Sequence, residues 1–90
     1  MEPLRKQINN IDEQLLNLLQ QRFDLTKSIA EIKKNDKSIV LYDPDREKEI
    51  INNLKSKKII EDIIIEKVWH EILYLSKNIQ KDIINNKITI

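Results

Sequence analysis

Leu4, Ile8, Ile11, Leu15, Leu18, Arg22, Leu25, Ile29 and Ile32 follow one another at alternating intervals of four and three residues. That is a heptad seam, and a seam held for so long specifies one long helix, ending near residue 34. Pro3 stands where a helix start tolerates proline. The polar run "KKNDKS" (33–38) closes the pattern. A helix of about 30 residues is roughly 45 Å long. A compact domain of 90 residues has a radius of gyration of only about 12 Å. The chain therefore cannot wrap its own first helix, and the seam is expected to pack on a second copy. One position breaks the apolar rule: Arg22 puts a permanent cation where leucine or isoleucine belongs.

Two further helices are expected. In "YDPDREKEI" (42–50), Asp43 suits an N-cap and Pro44 the first helical position, while Asp45 and Glu47 complement the positive end of the dipole. Ile50, Ile51 and Leu54 give this helix an apolar side before it fades at "KSKK" (55–58). A third helix runs from about Glu61 to Asn85, with Ile65, Trp69, Ile72, Leu73, Ile79 and Ile83 as its buried stripe. The β-branched run "IIEDIII" (59–65) favours a strand by propensity, but the continuing helical period favours helix. The tail "NNKITI" is expected to be frayed or lightly packed. The expectation is a single all-α domain over residues 1–90, three helices assembled as an intertwined homodimer.

Composition narrows the function. With no glycine, neither common Gly-rich phosphate loop can be built. With no cysteine, thiol chemistry is excluded and a reducing compartment is compatible. The net charge is +1 with both signs interspersed, which argues against a nucleic-acid footprint. No apolar run approaches a membrane span and the N-terminus has no signal core, so a soluble, cytoplasmic protein is expected. Thirteen lysines stand against three arginines, Arg5, Arg22 and Arg46. Each arginine is thereby a candidate for work lysine cannot do, such as bidentate recognition of a carboxylate.

Each candidate also has a plain reading. Arg22 could fix helix register as a polar seam residue, but a buried guanidinium needs an anion. Asp24 points elsewhere on the helix. Arg5 opposes the dipole of the first turn and Lys33 complements that of the last, so both can be solvated charges. Arg46 and Glu47 could be a surface pair. Ser76 and Gln80 share a face of the third helix beside the apolar stripe, where a bond to another helix would satisfy them. His70 is the one histidine and has no constellation at metal spacing around it. No metal or other cofactor is expected.

Taken together and in order, "LRKQINNIDEQLLNLLQQR", "KSIAEIKK", "YDPDREKEI" and "SKNIQ" resemble the all-helical AroQ class of chorismate mutases over nearly the whole chain. The resemblance implies an isomerase that rearranges chorismate to prephenate in phenylalanine and tyrosine biosynthesis. Arg5, Arg22 and Arg46 look like the arginines around the two carboxylates of chorismate, with Ser76 on the carboxylate side. Lys33 and Gln80 resemble the pair that hydrogen-bonds the ether oxygen. Glu47, with the backbone N–H of Asp43, resembles the group that holds the ring hydroxyl. In such families Arg5 comes from the partner subunit. The connection before the third helix is shorter than in bifunctional relatives, at a place away from these residues.

Two rivals share the scaffold. An isochorismate–pyruvate lyase of the same fold is disfavoured by Glu47, which that family lacks. A non-catalytic helical dimerisation module would have no need to retain Arg5, Arg22, Lys33, Arg46, Glu47 and Gln80 together.

Overall fold

The computed structural model describes residues 1–36 and 42–85. The chain after Asp36 in the first turn-prone run, and the expected frayed tail after Asn85, lie outside the described residues. The fold is all-α: α1 spans Glu2–Asn35, α2 Pro44–Ser56 and α3 Asp62–Asn85. Among the described residues no helix is long and apolar enough to cross a membrane.

Local chemistry sets each boundary. Pro3 and Glu2 occupy the first turn of α1, and the carbonyl of Met1 takes the Arg5 N–H at 3.0 Å. Asp43 caps α2 as its sequence foretells, with Oδ1 accepting from the Arg46 N–H at 3.1 Å and Pro44 entering behind it. The connection to α3 passes through Lys58, whose φ of 54° puts a lysine where glycine usually closes a helix. Its N–H bonds the Lys55 carbonyl at 3.1 Å, satisfying one of the carbonyls that α2 leaves open. Ile59 and Ile60 belong to this turn, and the isoleucine run becomes helical from Asp62 onward. Helical periodicity wins there over β propensity.

The helices form a layer, with α3 in the middle. It packs on α1 and on α2, which do not pack on each other among the described residues. The extents are 51 × 33 × 15 Å and the radius of gyration is 16.3 Å, against about 12 Å for a compact chain of this length. The third dimension is little more than one helix diameter. The exposed area of 7588 Å² exceeds the roughly 5,500 Å² of a compact monomer of this mass by about 2,000 Å².

Burial follows this shape. Among the described residues Ala30, Ile65 and Leu73 are the buried apolar ones, joined by Thr26 and Ser76. Trp69, Ile72, Ile79 and Ile83 of the expected α3 stripe are half-buried, as are Ile50, Ile51 and Leu54 of α2. The face of α1 turned to α3 carries Leu19, Arg22, Phe23, Thr26, Ala30 and Lys33, a stripe beside the heptad seam. The seam's apolar members stay open, from 47% exposed at Ile29 to 66% at Leu25. Arg22 is the seam position that also faces α3.

Candidate active site

Because α1 and α2 both lean on α3 without meeting, a cavity of about 390 Å³ opens between them. That is within the range of small-molecule sites. Arg22, Leu25, Thr26, Ile29 and Lys33 line it from α1. Asp43, Arg46, Glu47 and Ile50 do so from the start of α2, with Tyr42 just before it. The floor is Leu73, Ser76, Lys77 and Gln80 of α3. Seven of the eight residues singled out in the sequence thus meet in one place. The eighth, Arg5, does not: it lies about 25 Å along α1 from Arg22 and forms an exposed pair with Glu2 at 3.3 Å.

Two long-range hydrogen bonds fix the geometry. Arg22 donates to Ser76 Oγ at 2.7 Å, and the Lys33 ammonium donates to Gln80 Oε1 at 2.9 Å. Arg22 and Lys33 are three turns apart on α1, whereas Ser76 and Gln80 are one turn apart on α3, a separation of about 6 Å. Two cationic heads therefore converge on a short span of α3. These contacts also give Ser76 and Gln80 the helix–helix partners that a structural role requires, and no described buried side-chain polar atom lacks one.

Among the described lining residues, cations outnumber carboxylates. Arg22, Lys33, Arg46 and Lys77 face two carboxylates, Asp43 and Glu47, and the Asp43 carboxylate is turned to its own helix cap. Burial first, and the neighbouring cation of Arg46 second, lower the pKa of the Arg22 guanidinium. It stays charged at neutral pH all the same. Asp24 is no counter-ion, since it accepts from Gln20 at 2.8 Å on the outer side of the helix. Arg46 pairs with Glu49 at 2.6 Å rather than with Glu47. Both of those side chains are largely exposed, so the pair holds Arg46 only weakly. Glu47 is half-buried and lines the cavity.

Residues 4–81 match the family described as chorismate mutase type II. The chain belongs to that family. It is 37% identical over 82 residues to a chorismate mutase of Methanocaldococcus jannaschii, covering 87% of this chain and 81% of that relative. It is also 41% identical over 54 residues to a bifunctional chorismate mutase/prephenate dehydratase of Aquifex aeolicus, covering 60% of this chain and 15% of the larger protein. No solved structure matches significantly.

For a type II chorismate mutase domain, the charged Lys77 and the aromatic Tyr42 are lining residues outside the set anticipated from sequence. Lys77 could have been found by period alone, because Leu73, Ser76, Lys77 and Gln80 make one helical face. Tyr42 has no such signal, since it precedes the cap and belongs to no repeat. Among the described residues no His, Cys, Asp and Glu cluster could hold a metal ion, and His70 is exposed.

Proposed function

We propose that the chain is a chorismate mutase that converts chorismate to prephenate by an intramolecular Claisen rearrangement. The observation that carries this reading is the 2.9 Å contact of Lys33 with Gln80 in a cavity that also holds Arg22 and Arg46. In the reaction the ether C–O bond breaks as a C–C bond forms between the enolpyruvyl arm and the ring, by a cyclic shift of six electrons. The enzyme's task is to select the reactive conformer and to stabilise negative charge growing on the ether oxygen. Arg22 and Arg46 hold the two carboxylates, with Ser76 fixing Arg22 from behind. Lys33 donates to the ether oxygen. Gln80 has its carbonyl engaged by Lys33, which leaves its amide N–H groups to donate to the same atom. Glu47 and the Asp43 backbone N–H hold the ring hydroxyl.

The working unit in this reading is a homodimer. An apolar seam left half exposed and a layer one helix thick support a second copy lying along α1. At about 25 Å from its own cavity, Arg5 can serve only the site of that copy. The cysteine-free sequence fits a cytoplasmic enzyme.

The test is incubation with chorismate and, separately, isochorismate, with products identified by chromatography. Prephenate from chorismate is expected. Salicylate and pyruvate from isochorismate, with little prephenate, would replace this reading by the lyase. No turnover of either by the folded protein would leave a helical interaction module.

A further inference from the structure

The functional end of α2 needs a fastening that its own packing does not supply. Asp43, Arg46 and Glu47 all stand at or before its first turn, whereas its half-buried apolar residues Ile50, Ile51 and Leu54 come later. Its far end is tied to α3 by the Lys55–Glu66 ion pair. At the near end, the Lys77 ammonium of α3 sits 4.4 Å from the centroid of the Tyr42 ring, well inside cation–π range. Tyr42 is the residue immediately before the Asp43 cap. Both members of the pair also line the cavity. We propose that the Tyr42–Lys77 pair is a latch that clamps the first turn of α2 against α3, making Lys77 and Tyr42 positioning residues for substrate.

The inference rests on the mutase reading, but its physical core is independent of it. The latch spans the cavity from the α2 wall to the α3 floor. It acts on substrate through where it holds Asp43, Arg46 and Glu47, groups that grip the carboxylates and hydroxyl rather than the breaking bond. Loosening it weakens ground-state and transition-state binding alike, so the effect falls on KM rather than kcat. A role confined to general stability would instead lower the active fraction and leave KM alone.

The experiment compares Lys77→Met, Tyr42→Leu, the double variant and Lys77→Arg with the parent protein. Amide hydrogen exchange is followed at Arg46 and Glu47, whose N–H groups bond Asp43 at 3.1 and 3.2 Å, alongside chorismate kinetics. Lys77→Met and Tyr42→Leu should each speed exchange at these two amides and raise KM by about twofold to fivefold, the scale of one partly exposed cation–π contact. The double variant should be no worse than either single one, because they break the same contact. Lys77→Arg, which keeps a cation over the ring, should restore both readouts. A KM effect in Lys77→Met that Tyr42→Leu does not share would reduce Lys77 to a cavity charge and overturn the latch. Unchanged exchange in both variants would overturn it as well. If the parent protein turns over no chorismate, the exchange measurements still decide the latch, and only the functional reading falls.

Discussion

Replacing Gln80 by Glu tests the mechanism more sharply than deleting the side chain, because it turns one donor into a pH-controlled one. The Lys33 ammonium lies 2.9 Å from Gln80 Oε1. In Gln80→Glu that oxygen stays and can still accept from Lys33, while the amide nitrogen becomes a second carboxylate oxygen. At neutral pH the introduced group offers no proton to the ether oxygen and sets a negative charge beside an atom gaining one. Loss of one such donor costs about 10²- to 10³-fold in kcat. The donor returns only on protonation. A glutamate ordinarily titrates near pH 4.3, and the adjacent ammonium holds this one lower. Above its pKa the protonated fraction grows about tenfold per unit fall in pH, while the activity that survives loss of the donor sets a floor at pH 7, so the variant's kcat should rise by about tenfold from pH 7 to pH 5. Stability should move the opposite way. A carboxyl whose folded pKa is depressed contributes stability that is present above its unfolded value and lost as pH falls through the folded one. The assay is chorismate consumption between about pH 5 and 8 with thermal melts in the same buffers. A flat pH–rate profile for Gln80→Glu, or parent-like kcat at pH 7, would remove Gln80 from the reacting atoms.

Three further outcomes follow from the same geometry. Arg22→Lys should lower kcat/KM by at least about tenfold, since a point charge cannot both reach Ser76 and present a planar fork to a carboxylate; near-normal turnover would return Arg22 to a register role. Mixing the separately inactive Arg5→Ala and Lys33→Ala chains under exchange should restore up to about a quarter of parental activity, one intact site per mixed dimer. No recovery despite demonstrated mixed dimers would count against shared sites. Lys58→Gly should raise stability by about 0.5–1 kcal/mol, the relief of a left-handed lysine less the extra freedom of glycine in the unfolded chain, and a lowered melting temperature would contradict it.

What the sequence revealed, it revealed through periodicity and caps. The three helices, the Asp43 cap and the α3 stripe were all legible because each rests on local chemistry repeated over several turns. The α3-facing stripe of α1 was not. Its buried members, Thr26 and Ala30, are small residues that let two helices approach closely, and small residues carry no hydrophobic signal of their own. Pattern alone marked Arg22 as anomalous, but its Ser76 partner is 54 residues away, beyond any helical rule. Lys33 and Arg46 were indistinguishable from surface charge until the resemblance gathered them. The Arg46–Glu49 pairing follows from helix spacing, since residues three apart are neighbours on the surface whereas Arg46 and Glu47, one apart, do not face each other.

The seam and the cavity answer to the same residue. An apolar side chain at position 22 would complete the heptad stripe and remove a cation that burial and Arg46 both disfavour. Retaining arginine sets two guanidinium groups, Arg22 and Arg46, against each other across one cavity, a like-charge pair that a dianion would relieve. For a reaction with no covalent catalysis, this is where the driving force has to be stored. Binding a flexible dianion in its reactive shape costs entropy, and fixed, preorganised charge can offset that without reorganising during the reaction. A local carboxylate paired with Arg22 would make the fold more comfortable and the site weaker. The same logic fits Arg5. In the proposed dimer, a guanidinium too distant to serve its own cavity would add its charge to the partner's site, so the complete binding field would appear with the dimer and not before it.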